Sequence, residues 1–381
     1  MNLRKLLNLQ TYQPLNLIEI SEGNLLHNYK VLTSINRGVR IAPVLKSNAY
    51  GHGLVLVAKI LDQVGAPFFC VDSIYEAYEL LKAKITTPIL IMGYINPENM
   101  KVKKLPFSYA LWDLELAHAI SNYQPHAGVH IFVDTGMNRE GIPLIELPQF
   151  IRQLKKLPNI NIEGLMSHFA SADNEKDPLN ELQIKDFKKA LEICKNNGIH
   201  PEWIHLANSD GLLNPKVSTQ HTPGVWNVHT PGNLARVGLA LYGISNRSNL
   251  KPVLTFRSRI IQIKKLKKED RVGYSGAFIV KNDMTIGILP LGYYDGVDRR
   301  LSNKGFVTVD RVKCPIIGLV SMNITTIDLS GVKNPHIGQD VFVYSNNPKN
   351  KNSIENSAKI CKTIPYDLLV HLASSTKRII A

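Results

Sequence analysis

The stretch Arg40–Gly53, RIAPVLKSNAYGHG, sets the reading of the fold. Its first six residues, Arg40–Leu45, form a short apolar run, and Lys46 ends it. A small polar turn, Tyr50 and Gly51-His52-Gly53 follow. The same texture recurs outward along the chain. Short β-branched or apolar runs stand at Phe68–Val71, Ile89–Met92, Tyr109–Trp112, Val129–Val133, Ile162–Met166, Trp203–Leu206 and Leu234–Val237. Most are separated by segments with helical spacing. The clearest runs from Asp177 to Asn197, where Leu179, Leu182, Ile184, Phe187, Ala190, Leu191 and Cys194 recur mostly at three and four, and Gly198 supplies a stop. Eight strands alternating with helices over about 200 residues predict a closed (β/α)8 TIM-type barrel, with a doubly wound open sheet as the alternative.

Leu17–Ile20 reads as a ninth strand without a place in such a barrel, and its expected partner is the second domain. Helix Glu22–Ser34 follows, with Leu25, Leu26, Tyr29 and Leu32 on one face. After residue 245 short β-rich runs dominate: Leu254–Ile263, Phe278–Val280, Thr285–Leu289, Gly305–Val309, Cys314–Ile317, Thr325–Leu329 and Asp340–Tyr344. They predict an all-β domain, with SNNPKNKNS (345–353) as an exposed loop. The expected division is a barrel over 1–245 and a β-rich domain over 246–381.

With 381 residues, 44% hydrophobic and 20% charged, the chain has the length for two domains and an ordinary globular composition. Cys70, Cys194, Cys314 and Cys361 lie far apart, with no CxxC pair and no His/Cys cluster at zinc spacing, so they read as reduced thiols and no metal site is expected. Polar residues interrupt MNLRKLLNLQ too soon for a signal-peptide core. No segment approaches the roughly 20 apolar residues of a membrane span, so the expected location is cytoplasmic. The net charge of +14 gathers in KVKK (101–104), QLKKL (153–157) and KKLKK (264–268). Without a recognition helix, zinc module or aromatic RNA-binding strand, this reads as solvated faces that mildly attract small anions, not as a nucleic-acid site.

In a barrel, chemistry sits at the C-terminal ends of strands, where Lys46 falls. A partly desolvated lysine has a lowered pKa and becomes a nucleophile for an aldehyde cofactor. Position alone favours a surface lysine reaching out from a strand end.

The neighbours decide between them. VLKSNAYGHG (44–53) resembles the pyridoxal-phosphate lysine motif of the alanine racemase family. VDTGMNREG (133–141), GLMSHFASAD (164–173), HLANSDG (205–211), RVGLALYG (236–243), VGYSG (272–276), LGYYDG (291–296) and VSMN (320–323) resemble that family's later motifs, in family order. The resemblance implies a barrel followed by a β domain, pyridoxal phosphate as cofactor, and interconversion of L- and D-alanine for peptidoglycan synthesis. It implies that Lys46 carries the cofactor and then acts as the base on one face of the α-carbon. Tyr274 is implied as the base on the other face, contributed by the partner subunit of a homodimer. Tyr50, Ser209 and the backbone amides of Gly238 and Leu239 match the phosphate site. Arg236 matches the arginine facing the pyridine nitrogen; an arginine keeps its own proton, so it leaves that nitrogen unprotonated and limits side reactions. His168 matches the histidine bonded to that arginine. Arg139 and the backbone N–H of Met322 match contacts to the substrate carboxylate, and Tyr293 an entrance tyrosine, Met322 and Tyr293 coming from the partner.

Four positions depart from the family pattern. Phe132 stands where many relatives carry a lysine that orients the arginine matched by Arg139. Ser321 and Asn323 replace a cysteine and an aspartate beside Met322, and Ser374 replaces a tyrosine of some relatives. Competing readings are a racemase of other small amino acids such as serine, a barrel-fold pyridoxal-phosphate decarboxylase and a non-catalytic carrier. The decarboxylase needs an acid where Arg236 stands, and the carrier lacks the second domain and Tyr274.

Overall fold

The computed structural model describes residues 13–36, 38–214, 231–245 and 249–381. The chain forms two compact units, Glu22–Lys251 and Met1–Ser21 with Pro252–Ala381. The divide therefore falls at Lys251/Pro252, and strand Leu17–Ile20 belongs to the C-terminal unit. The reason is pairing: Leu17–Ile20 runs antiparallel to Leu254–Arg259 and parallel to Lys377–Ile380, with Ile18 and Ile20 fully buried.

In the first unit, eight barrel strands alternate with helices. They are Arg40–Pro43, Phe69–Val71, Ile89–Ile91, Phe107–Leu111, Ala127–Asp134, Ile160–Met166, Trp203–His205 and Leu234–Val237, and the two-residue strand Ile142–Pro143 pairs beside the fifth. Parallel pairing links the second through seventh in chain order, and the eighth pairs with the first. A Val44–Cys70 bridge joins first to second. Asn233 N donates to Ile204 O and Arg236 N to Ala207 O, each at 3.0 Å, which closes the ring between seventh and eighth. The barrel reading holds, and the open sheet falls. Its interior is filled in layers, one of Ala42, Val44, Phe68, Cys70, Leu90 and Leu234, another of Ala110, Phe132 and Met166.

Helix Leu179–Asn196 ends at Asn197, and Gly198 takes φ +71°, as its position after the periodic run demands. One detail differs from the periodicity. Leu182 is 49% exposed, whereas Gln183 is buried. Gln183 donates to His168 O and accepts from Ala170 N, so a polar residue takes the inner face in order to satisfy a strand-end loop.

The C-terminal unit holds a six-stranded sheet in the order Val312–Pro315, Phe306–Val309, Asp340–Tyr344, Leu254–Arg259, Leu17–Ile20, Lys377–Ile380, and a three-stranded sheet of Gln262–Leu266, Met284–Leu289 and Thr325–Asp328. The run Leu254–Ile263 is thus two strands. Its backbone changes partner midway, Ile260 N donating to Gln339 O and Ile261 N to Ile288 O. The unit is β-rich but not all-β. Ser353 caps helix Ile354–Cys361, and Pro365 opens helix Pro365–Val370. The expected loop 345–353 is exposed at its centre, but Ser345 and Ser353 bridge its buried ends.

Candidate active site

Lys46 follows the first strand, and the chain then winds the wrong way. Ser47, Asn48, Ala49 and Tyr50 all adopt left-handed backbone, with φ of 55°, 56°, 53° and 52°. Such a turn costs about 1–2 kcal/mol per non-glycine residue, so it persists only where contacts over-determine it. They are present. Ala49 N donates to Leu45 O at 2.7 Å and Gly53 N to Asn48 O at 2.9 Å. Asn48 Oδ1 accepts from Leu54 N at 2.8 Å. Buried His52 offers Nδ1 to the carbonyls of Ala49 and Tyr50 at 3.0 and 2.9 Å, and its ring stacks on Tyr242. Both acceptors are carbonyls, so Nδ1 carries the proton. This is why the motif needs Asn, His and two glycines after the lysine.

Lys46 is 36% exposed and paired with Asp72, Nζ to Oδ1 at 3.1 Å. Glu76 sets that pair. Its carboxylate accepts from Asp72 N at 2.9 Å and from Asn48 N at 3.2 Å, tying the second strand end to the left-handed turn.

Arg236, in the eighth strand, is 3% exposed. Nη1 donates to His205 Nδ1 and His205 O at 2.7 and 2.8 Å. Nη2 donates to Ser167 O and His168 Nδ1 at 2.6 and 3.1 Å. The four Nη hydrogens are thereby engaged, which leaves Nε–H as the donor for a ligand. Burial pulls the guanidinium down to about 10, still far above neutrality, so it remains a cation. Burial first, then the charges of Arg236, Arg139 and Lys46, push His168 down to about 3 and keep it neutral. The field of three cations is thus felt at one imidazole, at a mouth suited to an anionic ligand.

At another part of the mouth, Ser209 Oγ accepts from Gly238 N at 3.1 Å and Ala240 N at 3.4 Å. The N-cap of helix Ser209–Leu213 is Asn208, not Ser209, which frees the serine for this loop. A Cβ on Gly238 would lie 2.6 Å from Tyr50 Oη, so only glycine admits the tyrosine there. Tyr50, Ser209 and the 238–240 backbone therefore meet, and Leu239 sits in the middle of that loop. Two hydroxyls beside backbone N–H groups, with a lysine and a buried arginine Nε in the same barrel, fit a phosphorylated pyridine aldehyde without a metal. Among the described residues no group of His, Cys, Asp and Glu could hold a metal ion.

Arg139 lies on the loop after the fifth strand, held by Asp134 Oδ1, which accepts from Gly136, Met137 and Asn138 N. Its Nε pairs with Glu140 at 3.2 Å, in the exposed part of the mouth. Phe132 points into the barrel and meets Trp112 edge-on at 5.7 Å between centroids. The family lysine is thus replaced by apolar packing, and the neighbour of Arg139 is Glu140.

In the C-terminal unit, Tyr274, Tyr293 and Met322 line one concavity of about 1060 Å³, together with Tyr294, Asp298 and Arg299. Tyr274 follows Gly273, at φ 75°, and is 69% exposed. Tyr293 N and Tyr294 N donate to Ser321 O and Met322 O at 3.0 Å each. A Cβ on Gly292 would lie 2.0 Å from Ser321 O, so glycine is required for this close approach. Asn323 Nδ2 donates to the buried Asp295 at 3.3 Å. An aspartate there would face a second carboxylate; asparagine supplies a donor instead. Ser374 is exposed, in the turn before Lys377–Ile380.

Asp72, Glu76 and His205 were not singled out from sequence. Ser73-Ile-Tyr-Glu76 has the capping-box spacing, and Ser73 does cap its helix, but the Glu76 carboxylate turns to Asp72 and Asn48. His205 opens the HLANSDG motif, a signal that was available.

Comparison with known proteins gives one answer for both units. The family model "Alanine racemase, N-terminal domain" matches residues 20–246, and "Alanine racemase, C-terminal domain" matches residues 253–380. A relative named alanine racemase from Syntrophobacter fumaroxidans is 34% identical over 363 residues, covering 92% of this chain and 93% of its own. The solved alanine racemase of Clostridium difficile 630 superposes with a TM-score of 0.87 at 26% identity, over 97% of both chains. The alanine racemase of Bartonella henselae, solved with covalently bound pyridoxal phosphate, gives 0.83 at 25% identity over 97% of this chain and 100% of its own. Two consecutive family models and full-length relatives establish that this chain belongs to the alanine racemase family.

Proposed function

We propose that this chain interconverts L- and D-alanine with pyridoxal phosphate, as a cytoplasmic homodimer supplying D-alanine for peptidoglycan. The observation that carries the reading is Arg236. Buried, cationic and engaged at both Nη groups, it offers a single donor, Nε–H, within the barrel that carries Lys46.

When bound, the cofactor supplies an electron-withdrawing ring that acidifies the α-C–H of the amino acid joined to it. Arg236 directs a donor at the ring nitrogen and withholds a full proton from it. Tyr50 and Ser209 orient the phosphate, beside the amides of Gly238 and Leu239. Lys46 Nζ would anchor the cofactor and, once the substrate amine takes its place and frees it, would take or return the α-proton on one face. Asp72 Oδ1, 3.1 Å from that amine, is the counter-charge for its protonated form. Tyr274 Oη serves the opposite face from the partner subunit, which also contributes Met322 N–H and Tyr293 to the pocket, while Arg139 of the subunit that carries Lys46 draws in the substrate carboxylate. Exposure of Tyr274 and Met322, 69% and 56%, on one concave face supports a site completed by a second copy.

The test is chiral analysis of L-alanine incubated with the protein and pyridoxal phosphate in deuterated water. D-alanine carrying α-deuterium, absent with Lys46→Ala, is the expected result. Exchange without inversion contradicts the Tyr274 assignment, and no exchange with alanine contradicts the substrate. L-serine in the same assay reads the breadth.

A further inference from the structure

We infer that His130 and Glu163 position Arg236: a hydrogen-bond chain of fixed direction runs from the guanidinium through His205 to His130, and the Glu163 carboxylate faces its far end at ion-pair distance. Arginine can only donate, so His205 Nδ1 accepts from Nη1 at 2.7 Å, and the proton of the neutral ring lies on Nε2. That Nε2 lies 2.8 Å from His130 Nδ1. His130 must accept there, so its own proton lies on Nε2, facing Glu163 Oε2 at 3.7 Å. Burial disfavours the charged form of both rings, in accord with one proton on each. Ser108 Oγ and Asn161 Nδ2 donate to the Glu163 carboxylate at 2.9 and 3.2 Å and hold it in place.

The strands are shaped around this chain. A Cβ at Gly164 would lie 2.2 Å from His130 Nδ1, and one at Gly128 would lie 2.0 Å from Glu163 Oε2. Glycine weakens a strand interior, so two of them mark room left for these side chains. Phe68 packs edge-on against His130 at 5.4 Å between centroids and shields it.

The carboxylate matters because it can only accept. Glutamine can donate. With Glu163→Gln the chain can reverse, placing a proton on His205 Nδ1 directly opposite Arg236 Nη1. Two donors then face each other, and the guanidinium turns away from the ligand it serves.

The experiment is ¹⁵N NMR of the full chain loaded with pyridoxal phosphate and labelled at histidine, with His130 and His205 assigned by single substitution. Both rings are expected to be neutral and protonated on Nε2. Glu163→Gln is expected to populate the Nδ1-protonated form of both. It should also lower kcat on the order of tenfold, with KM for alanine moving by no more than about twofold. Ser108→Ala, which loosens the carboxylate without removing it, should shift both readouts in the same direction by less. An Nδ1-protonated His205 in the unsubstituted protein overturns the inference, as do unchanged tautomers in Glu163→Gln. The kinetic arm rests on the racemase reading and the tautomers do not, so loss of the first with the second intact points to that reading alone.

Discussion

Arg236 Nη2 donates to His168 Nδ1 across 3.1 Å, so the imidazole serves the arginine as an acceptor and must stay neutral to do so. A buried cation is thereby surrounded by four neutral acceptors, two carbonyl groups and two imidazoles, and a proton on either imidazole would turn it against the cation.

That arrangement fixes a pH dependence. His168 is held down to about 3 by burial and then by neighbouring cations, and burial also lowers His130 and His205. In the unfolded chain each titrates near 6.5, so below that pH the unfolded state binds more protons. Stability should be level above about 6.5 and fall as pH drops towards 3, with a slope of up to about 1.4 kcal/mol per pH unit for each histidine. Urea midpoints across the acid range read it directly. His168→Gln should flatten the profile, and a flat profile in the unsubstituted protein contradicts neutral burial.

Lys46→Ala should abolish the visible absorbance of bound cofactor together with α-deuterium exchange. Asp72→Ala should not unfold the protein. Its pair with Lys46 is 36% and 54% exposed, and screened pairs contribute about 0–1 kcal/mol. A thermal midpoint close to the parent, with slower turnover, is the expected combination; an unaltered rate would mean that Asp72 plays no part in holding the amine.

Tyr274→Phe should keep the cofactor absorbance and lose roughly 10²–10³-fold in racemisation, within the range for one acid–base group. Deuterium exchange from one enantiomer should survive while exchange from the other collapses. Equal loss in both directions argues against a base that serves one face.

Asn48→Ala removes the Oδ1 acceptor for Leu54 N and one of the residue types that tolerate left-handed backbone. The expected cost is about 2 kcal/mol, read as a lower urea midpoint with unchanged slope. A neutral outcome would mean that His52, Glu76 and the backbone bonds hold the turn without the Asn48 side chain.

Gly238→Ala should push Tyr50 away, since the new Cβ would stand 2.6 Å from its hydroxyl. Cofactor affinity should drop at least about tenfold, the loss of one charge-assisted contact. Equilibrium dialysis with pyridoxal phosphate measures it.

Much of this was legible from local pattern. The apolar runs ending near Pro43, Val71, Ile91 and Val237 foretold barrel strands because alternation and strand-end polarity are properties of neighbours in sequence. The misreadings also have local causes. Ile260–Ile261 looked continuous because a strand that changes sheet keeps its apolar alternation, and Leu182 was read onto the buried face that Gln183 takes because the partners of Gln183 lie outside its own helix.

The sequence by itself determined the barrel, the β-rich second unit and the family, for these follow from periodicity and from the order of short motifs. Tertiary structure alone decided the rest. Asp72 reached Lys46 only when two strand ends were brought side by side, and the left-handed turn is fixed in place where Glu76, Tyr242 and His52 close around it. The tautomers from Arg236 to Glu163 are fixed by which atom faces which across the barrel. Hydrogen bonds act over about 3 Å in space whatever the separation along the chain, so their partners are settled only by folding.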